Sequence, residues 1–500
     1  MFSVRDDEPF VIFQELQEIA KKERENDIID LSRGDPGYGF TPSVRGREFA
    51  SFVIFLDSIL NASAEQRFEK WNGKEDALWK DIAEVTAKHF QDATASHLLS
   101  LLWECIEAAK NAAKGEGKTW TDFSVLQSLF ERSTMTGGSY LNPRGEEWSR
   151  VVVAAWHRAE LGIKVTSDDL LLVNGASHAI GSLFKALGTE GCGFLKEGDA
   201  VCIASPVYAP YNRILEERGL SVLTLAIDPI TGKLSESDLE LLRKSTAHLK
   251  ALFLIDPHNP TGFSLSEAEI TSLAAIARER NLLVITDEVY SSFFPRKKTM
   301  LPLCPERTIC INGRSKIERS TGLRFGEIIV LPEGQREIAK LLHLKDAEDF
   351  WKLLIAAKAP GRAGGQFQHT TFVPGPSQLL GIAHIVLGAE ERKTYFQSLE
   401  KNREIFTKAL GLPHQGNAYY IIFDLDTLPG VKTSSLPIEE RLLRLAKAGV
   451  IYIPAYRFFA NSDRTKPGTL TSVRASFANA TAEHLRSFSA EKLRTRSKSI

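Results

Sequence analysis

The sequence has little of what marks several protein classes. Its 500 residues include only five cysteines (Cys105, Cys192, Cys202, Cys304 and Cys310), odd in number, widely spaced and without a Cys-x-x-Cys pair. Neither a disulfide framework nor a zinc site is indicated. The longest apolar stretches, such as Phe52 to Leu56, are far too short to cross a bilayer. Met1 to Phe10 shows no basic stretch followed by an apolar one, so no secretory signal is expected and a reducing cytoplasmic setting is. Neither charge sign dominates: 62 Lys and Arg against 63 Asp and Glu leave a formal charge of -1. That balance gives no support to nucleic acid or an anionic membrane as the main partner. No Gly-x-Gly-x-x-Gly opens a helix after a strand, which argues against a dinucleotide-binding dehydrogenase. What is present is ordinary globular composition, 43% hydrophobic and 25% charged, with length for two or three domains.

Four regions differ in texture. Residues 1–45 hold a predicted helix (Pro9 to Lys22) and a breaker-rich turn, Ser32-Arg33-Gly34-Asp35-Pro36-Gly37, where backbone can approach a ligand closely. Residues 46–130 repeat apolar positions at three and four with no proline and little glycine, which predicts an inserted helical region. Residues 131–375 alternate near-continuous apolar runs with amphipathic stretches. The runs start near Leu170, Ala200, Ala251, Leu282, Thr308 and Glu327. Such alternation predicts an α/β unit whose mostly parallel sheet is covered on both faces. Residues 376–500 read as a smaller α+β domain ending in a basic tail.

In such sheets ligands sit beyond the carboxyl ends of the strands, so the polar residues closing those runs are the site candidates. Lys316 follows the run Thr308 to Gly313 and precedes Gly322 and Arg324 in a turn. A lysine amine can form a Schiff base with an aldehyde, and an arginine fork suits phosphate. Asp287 ends a buried run, where a carboxylate needs a partner such as a pyridinium N–H. Tyr290 and Asn259 could each donate to a phenolic oxygen. Gly175, Ala176 and Ser177 open a helix whose first N–H groups suit a phosphate. Tyr208 could stack on a planar ring. Taken singly, each residue fits a plainer role: a solvated lysine, a helix-capping aspartate, a packing tyrosine, an Asn-Pro turn.

Their order along the chain resembles the fold-type I pyridoxal-phosphate enzymes, in particular the class I/II aminotransferases. The series runs Tyr140-x-x-x-x-Gly145, Gly175-Ala176-Ser177, Tyr208, Asn259-Pro260-Thr261-Gly262, Asp287-x-x-Tyr290, Ser315-Lys316, Arg324 and Arg474. The resemblance implies pyridoxal 5'-phosphate carried on Lys316, which would also move protons as base and acid. It implies Asp287 on the pyridine nitrogen and Asn259 and Tyr290 on the phenolic oxygen. Ala176, Ser177, Ser315 and Arg324 would hold the phosphate, Gly34 and Arg474 the substrate, with Arg474 on the α-carboxylate. Tyr140 would reach the cofactor of a neighbouring subunit, which implies a homodimer.

Two features narrow the expectation. The helical region between the Gly34 turn and Tyr140 resembles the layout of the aspartate 4-decarboxylase group, whose members also transaminate aspartate. The family's Ser-x-Ser-Lys reads Gly313-Arg314-Ser315-Lys316 here, which removes one phosphate-binding hydroxyl and sets a cation beside the lysine. Arg33 and Arg314 then appear as spare cations near the cofactor and suggest aspartate or glutamate as substrate. The expected activity is amino transfer between an amino acid and a 2-oxo acid. A decarboxylase is the alternative, and a non-catalytic binding protein with the same fold is a more distant one.

Overall fold

The computed structural model describes residues 9–24, 28–36, 42–60, 71, 73–132, 141–245, 247–294, 298–356, 373–413, 419–428, 436–459 and 468–486. A two-residue strand, β1 (Ile29–Asp30), is followed by the seven strands of the main sheet. These are β2 (Leu170–Val173), β3 (Ala200–Ser205), β4 (Ser221–Ala226), β5 (Leu249–Ile255), β6 (Leu283–Asp287), β7 (Thr308–Gly313) and β8 (Gly326–Ile329). Their spatial order is β2-β8-β7-β6-β5-β3-β4. The pairs from β4 to β7 are parallel, and β8 runs antiparallel to both neighbours. The edge strand β4 escapes the sequence reading because its residues are mostly half-exposed and make no continuous apolar run.

Side-chain alternation divides the two faces. Leu171, Val173, Val201, Ile203, Phe253, Ile285, Ile309, Ile311 and Ile328 share one core with the helix Ala176–Leu187. On the other face, Cys202, Leu252, Leu254 and Val284 pack against the helix Glu267–Glu279. Farther along that face, Leu170, Leu172, Cys310 and Ile329 meet a different cover. It consists of helices Val44–Leu60, Glu75–His89, Asp92–Lys114, Asp122–Arg132, Glu147–Glu160 and Gly375–Leu387. The helices between Val44 and Arg132 thus share the core of the β2–β8 end of the sheet.

The C-terminal third adds β9 (Tyr420–Asp424), β10 (Val450–Ile451), β11 (Ile453–Pro454) and β12 (Ser472–Ser476). Strands β11-β12-β9 form an antiparallel sheet, and β1 pairs with β10 in parallel. Leu16 and Ala20 of the helix Pro9–Arg24 lie in one core with Leu442 and Leu445 of the helix Ile438–Lys447. The chain's start is therefore docked on its C-terminal unit. Leu31 N–H donates to Ile451 O (2.9 Å), and Ser476 N–H donates to Leu31 O (2.7 Å). These bonds lay residues 32–35 across the carboxyl ends of the main strands.

Candidate active site

One cavity of about 510 Å³ opens there. Its walls include Ala176, Ser177, Tyr208, Asn259, Asp287, Tyr290, Ser315, Lys316, Arg324 and Arg474, and the Arg33-Gly34 turn. These residues come from eight separate segments of sequence. Tyr140 lies outside the described residues. Gly175 is one step behind the wall, as the residue before the first turn of Ala176–Leu187. Its φ of +81° is a conformation that favours glycine. A Cβ there would lie 2.6 Å from Arg324 Nη2. No side chain caps that helix, so its first N–H groups remain available beside the guanidinium.

Lys316 sits in the short helix Arg314–Ile317 directly after β7. Its Nζ donates to Gly34 O at 2.6 Å and faces the rings of Tyr290 and Tyr419 at 6.0 and 5.9 Å. Tyr419 Oη donates to the Lys316 backbone carbonyl at 2.6 Å, fixing the turn from the C-terminal unit. Gly34 must be glycine for space: a Cβ would collide with the Tyr420 hydroxyl.

Asp287 ends β6 and is buried. Burial pushes its carboxyl up to about 6, opposed by hydrogen bonds from Tyr211 and Val289 and by the charge of Lys316. Tyr211 Oη donates to Oδ2 at 2.5 Å, and Val289 N–H donates to Oδ1 at 3.2 Å. Tyr290 Oη donates to Tyr420 Oη at 3.1 Å and receives Asn259 Nδ2 at 3.5 Å. Asn259 is itself buried, and Oδ1 of its amide has no partner. Burial also raises the Tyr290 hydroxyl well above the ordinary tyrosine range.

Arg474 lies on β12 opposite Ile453 of β11 and Ile422 of β9. It is buried, donates from Nη2 to Ser32 O at 2.5 Å, and lies over Tyr420 (4.4 Å) and Phe458 (4.8 Å). Its Nε has no partner. A guanidinium buried with donors to spare is built to receive a carboxylate.

The structure corrects the reading of the two spare cations. Arg314 does not enter the cavity: it is fully buried on the opposite side, paired with Glu327 and stacked 3.9 Å from Trp156. Strand parity is the cause, because Glu327 lies between Gly326 and Ile328 on β8 and so faces the helix Glu147–Glu160. Arg33 does line the cavity, but its Nε is bound to Asp35 Oδ1 at 2.8 Å. Sequence reasoning missed Tyr211, Asp35, Tyr420 and Phe458. Only Tyr211 had a usable signal: it lies one helical turn after Tyr208, on the same side of the helix Ala209–Glu216 that Tyr208 precedes.

The donor set suits a planar, anionic aldehyde cofactor. The cavity brings together a helix N-terminus with Arg324, the Lys316 amine, the buried Asp287 carboxylate and the buried Arg474. Among the described residues, no cluster of His, Cys, Asp or Glu could hold a metal ion.

An α/β fold of this order, with a lysine after β7 and an aspartate at the end of β6, is that of a fold-type I transferase. The sequence profile of the class I and II aminotransferases matches residues 104–490, and the chain belongs to that family. It is similar to a bifunctional aspartate aminotransferase and L-aspartate beta-decarboxylase from Pseudomonas sp., at 28% identity over 351 residues. That match covers 63% of this chain and 64% of the relative, less than two thirds of its length. An aspartate/prephenate aminotransferase from Thermus thermophilus is 26% identical over 64% of this chain and 76% of its own. Among solved structures, YbdL from Escherichia coli, described with a methionine aminotransferase function, superposes with a TM-score of 0.62 at 18% identity. It covers 99% of this chain and 100% of that one. A double mutant of the Thermus thermophilus aspartate aminotransferase gives 0.60 at 19%, covering 99% and 97%.

Proposed function

We infer that the protein is a pyridoxal-phosphate-dependent aminotransferase that moves an amino group between an amino acid and a 2-oxo acid. The observation that carries this reading is that Lys316 and Asp287 line one cavity together with Arg324 and Arg474. When bound, the cofactor supplies an aldehyde carbon and a ring that accepts electrons. The Ala176–Leu187 N-terminus, Ser177, Ser315 and Arg324 would hold its phosphate; Gly313 lines the same wall and offers no hydroxyl. Asp287 would pair with the ring nitrogen, which repays the burial that now lifts its pKa. Asn259 and Tyr290 would bind the phenolic oxygen.

Lys316 then acts on the substrate's α-proton as base and returns it as acid. Gly34 O and the Tyr419 bond to the Lys316 carbonyl keep the amine aimed into the cavity. Arg474 orients the substrate through its α-carboxylate. Residues 32–35 line the same cavity. We also propose a homodimer in which Tyr140 of one copy reaches the site of the other. A cytoplasmic location fits five cysteines that form no disulfide among the described residues. A beta-decarboxylase activity like that in the Pseudomonas relative's name would in addition require a dicarboxylic substrate, whose β-carboxylate leaves as carbon dioxide.

The test is to add pyridoxal phosphate to the purified protein, reduce with borohydride and map the modified peptide by mass spectrometry. Attachment at Lys316 is expected, together with loss of the cofactor absorbance band when an amino acid donor is added. An intact protein with no adduct at Lys316 would sink the assignment.

A further inference from the structure

The charges of the cavity can be matched one by one. Among the described residues that line it, the charged groups are Arg33, Asp35, Asp287, Lys316, Arg324 and Arg474. On the reading proposed above, four of them are committed: Arg324 to phosphate, Lys316 to the aldehyde carbon, Asp287 to the ring nitrogen and Arg474 to the α-carboxylate. Arg33 and Asp35 remain, and they hold each other. Their side chains are 34% and 30% exposed, so they meet the open part of the cavity as a matched pair.

Among the described residues of this chain, the cation left for a second substrate carboxylate is Arg33, which already holds Asp35. Two carboxylates on one guanidinium repel at close range, the more so once a bound substrate displaces water from the cavity. The surfaces beside the pair are apolar. Arg33 lies over the Phe13 ring at 5.5 Å, and Phe458 and Tyr420 flank Arg474. Ile453 stands directly opposite Arg474 across β11 and β12, so both point to the same face. An apolar or aromatic side chain would bury against these walls and could stack on the Arg33 plane.

We propose that the amino donor is a monocarboxylic amino acid with an uncharged, apolar or aromatic side chain, and that Asp35 disfavours acidic donors by occupying Arg33. The inference rests on the aminotransferase reading for the role of Arg474. It deepens that reading by naming the substrate class.

The cofactor-loaded protein is mixed with phenylalanine, tyrosine, leucine, methionine, aspartate and glutamate, and the first turnover is followed by absorbance. The best neutral donor is expected to exceed aspartate and glutamate by at least about tenfold in rate per concentration. Asp35→Asn releases Arg33 and should shift that ratio toward the acidic donors by about tenfold. A second readout needs no turnover: calorimetric titration with 3-phenylpropanoate and with maleate, neither of which can be aminated. Wild type should bind 3-phenylpropanoate more tightly, and Asp35→Asn should gain affinity for maleate.

A wild-type preference for aspartate or glutamate, or an Asp35→Asn ratio equal to wild type, overturns the substrate class while the aminotransferase reading stands. If no amino acid alters the spectrum, the aminotransferase reading fails, and the titrations still decide what the Arg33–Asp35 subsite accepts. If Asp35→Asn does not fold, the wild-type preference decides alone.

Discussion

Arg314 and Lys316 are two residues apart and lead to opposite kinds of place. Arg314 turns into a dry cluster in which Glu327 pairs with it, His157 Nε2 lies 2.7 Å from the same carboxylate oxygen, and Trp156 covers the guanidinium. Burial lowers the His157 pKa, against the raising effect of its bond to Glu327. Burial alone would raise the Glu327 carboxyl, but Arg314 and His157 outweigh it and hold it below the usual range. That cluster satisfies its charges within the chain. Lys316 turns into a cavity where, among the described residues, its amine donates to a backbone carbonyl and faces tyrosine rings, and where Arg474 likewise donates to a backbone carbonyl rather than to a carboxylate. The same residue types serve structure where their counter-charge is built in, and serve ligand binding where it is left out. Proximity in sequence to a functional lysine therefore says little about which role a cation has.

The largest expected effect comes from Lys316→Ala. On the roles proposed for it, removing the amine should lower turnover at least about 10³-fold, because both the cofactor attachment and the proton carrier would be lost. The melting temperature of the cofactor-free variant should stay close to wild type, since the side chain donates only to Gly34 O. Retention of a tenth of wild-type turnover would break the contrast drawn above. Arg314→Ala is the converse. Leaving Glu327 buried without its cation should cost about 3–5 kcal/mol of stability in denaturant titrations. Because the folded Glu327 pKa is depressed, this contribution is present at neutral pH and fades as pH falls through the carboxylate range. A loss below about 1 kcal/mol would show that the pair is no more than a surface-grade bridge.

The sheet was legible because its strands are buried on both faces and read as apolar runs between helices. The edge strand β4 was not, since partial exposure erases that signal. The series from Gly175 to Lys316 was legible because most of its residues end a strand, open a helix or lie in the turn between the two, where side chains and N–H groups point toward the ligand space; Arg474, in the middle of β12, was legible only through the resemblance. What the sequence hides is direction. Nothing in Gly313-Arg314-Ser315-Lys316 says that Arg314 faces Trp156. That follows from the parity of β8 and the position of the helix Glu147–Glu160, a contact across more than 150 residues. The Arg33–Asp35 pair is only two residues apart, yet it competes in sequence with every other partner for Arg33. Tyr420 and Phe458 come from the C-terminal unit and reach the cavity only through the β9–β12 packing.

Asp287→Asn probes the cavity's unfilled counter-charge and should have the opposite sign from Arg314→Ala. The folded-state pKa of about 6 lies above the ordinary 3.8, so between these values the unfolded chain ionises while the folded protein keeps its proton. Wild-type cofactor-free protein therefore loses stability as pH rises through about 6, and the amide variant should not. At pH 7 the variant is expected to be the more stable by on the order of 2–3 kcal/mol, with the difference vanishing in strong acid. Its turnover should fall sharply, because the ring nitrogen loses its anionic partner. Equal stability across the pH range would mean that Asp287 is not held at a desolvation cost.

The smallest effect, and the sharpest test of how the cavity tunes that carboxylate, is Tyr211→Phe. The Tyr211 hydroxyl donates to Oδ2 at 2.5 Å and favours the ionised form, against the burial that opposes it. Without it the Asp287 pKa should climb further, and the carboxylate would form only at higher pH. Cofactor affinity, measured by equilibrium dialysis across a pH series, should begin to weaken at a higher pH than in wild type as the solution is made more acidic. Near neutrality the loss should be about tenfold, the worth of one hydrogen bond to a charged group. The ring contacts that Tyr211 makes with Tyr208 and Phe253, at 5.3 and 4.8 Å, remain available to phenylalanine, so the fold should be kept. A purely structural role would lower affinity equally at every pH. A shift of the profile along the pH axis assigns the hydroxyl to Asp287.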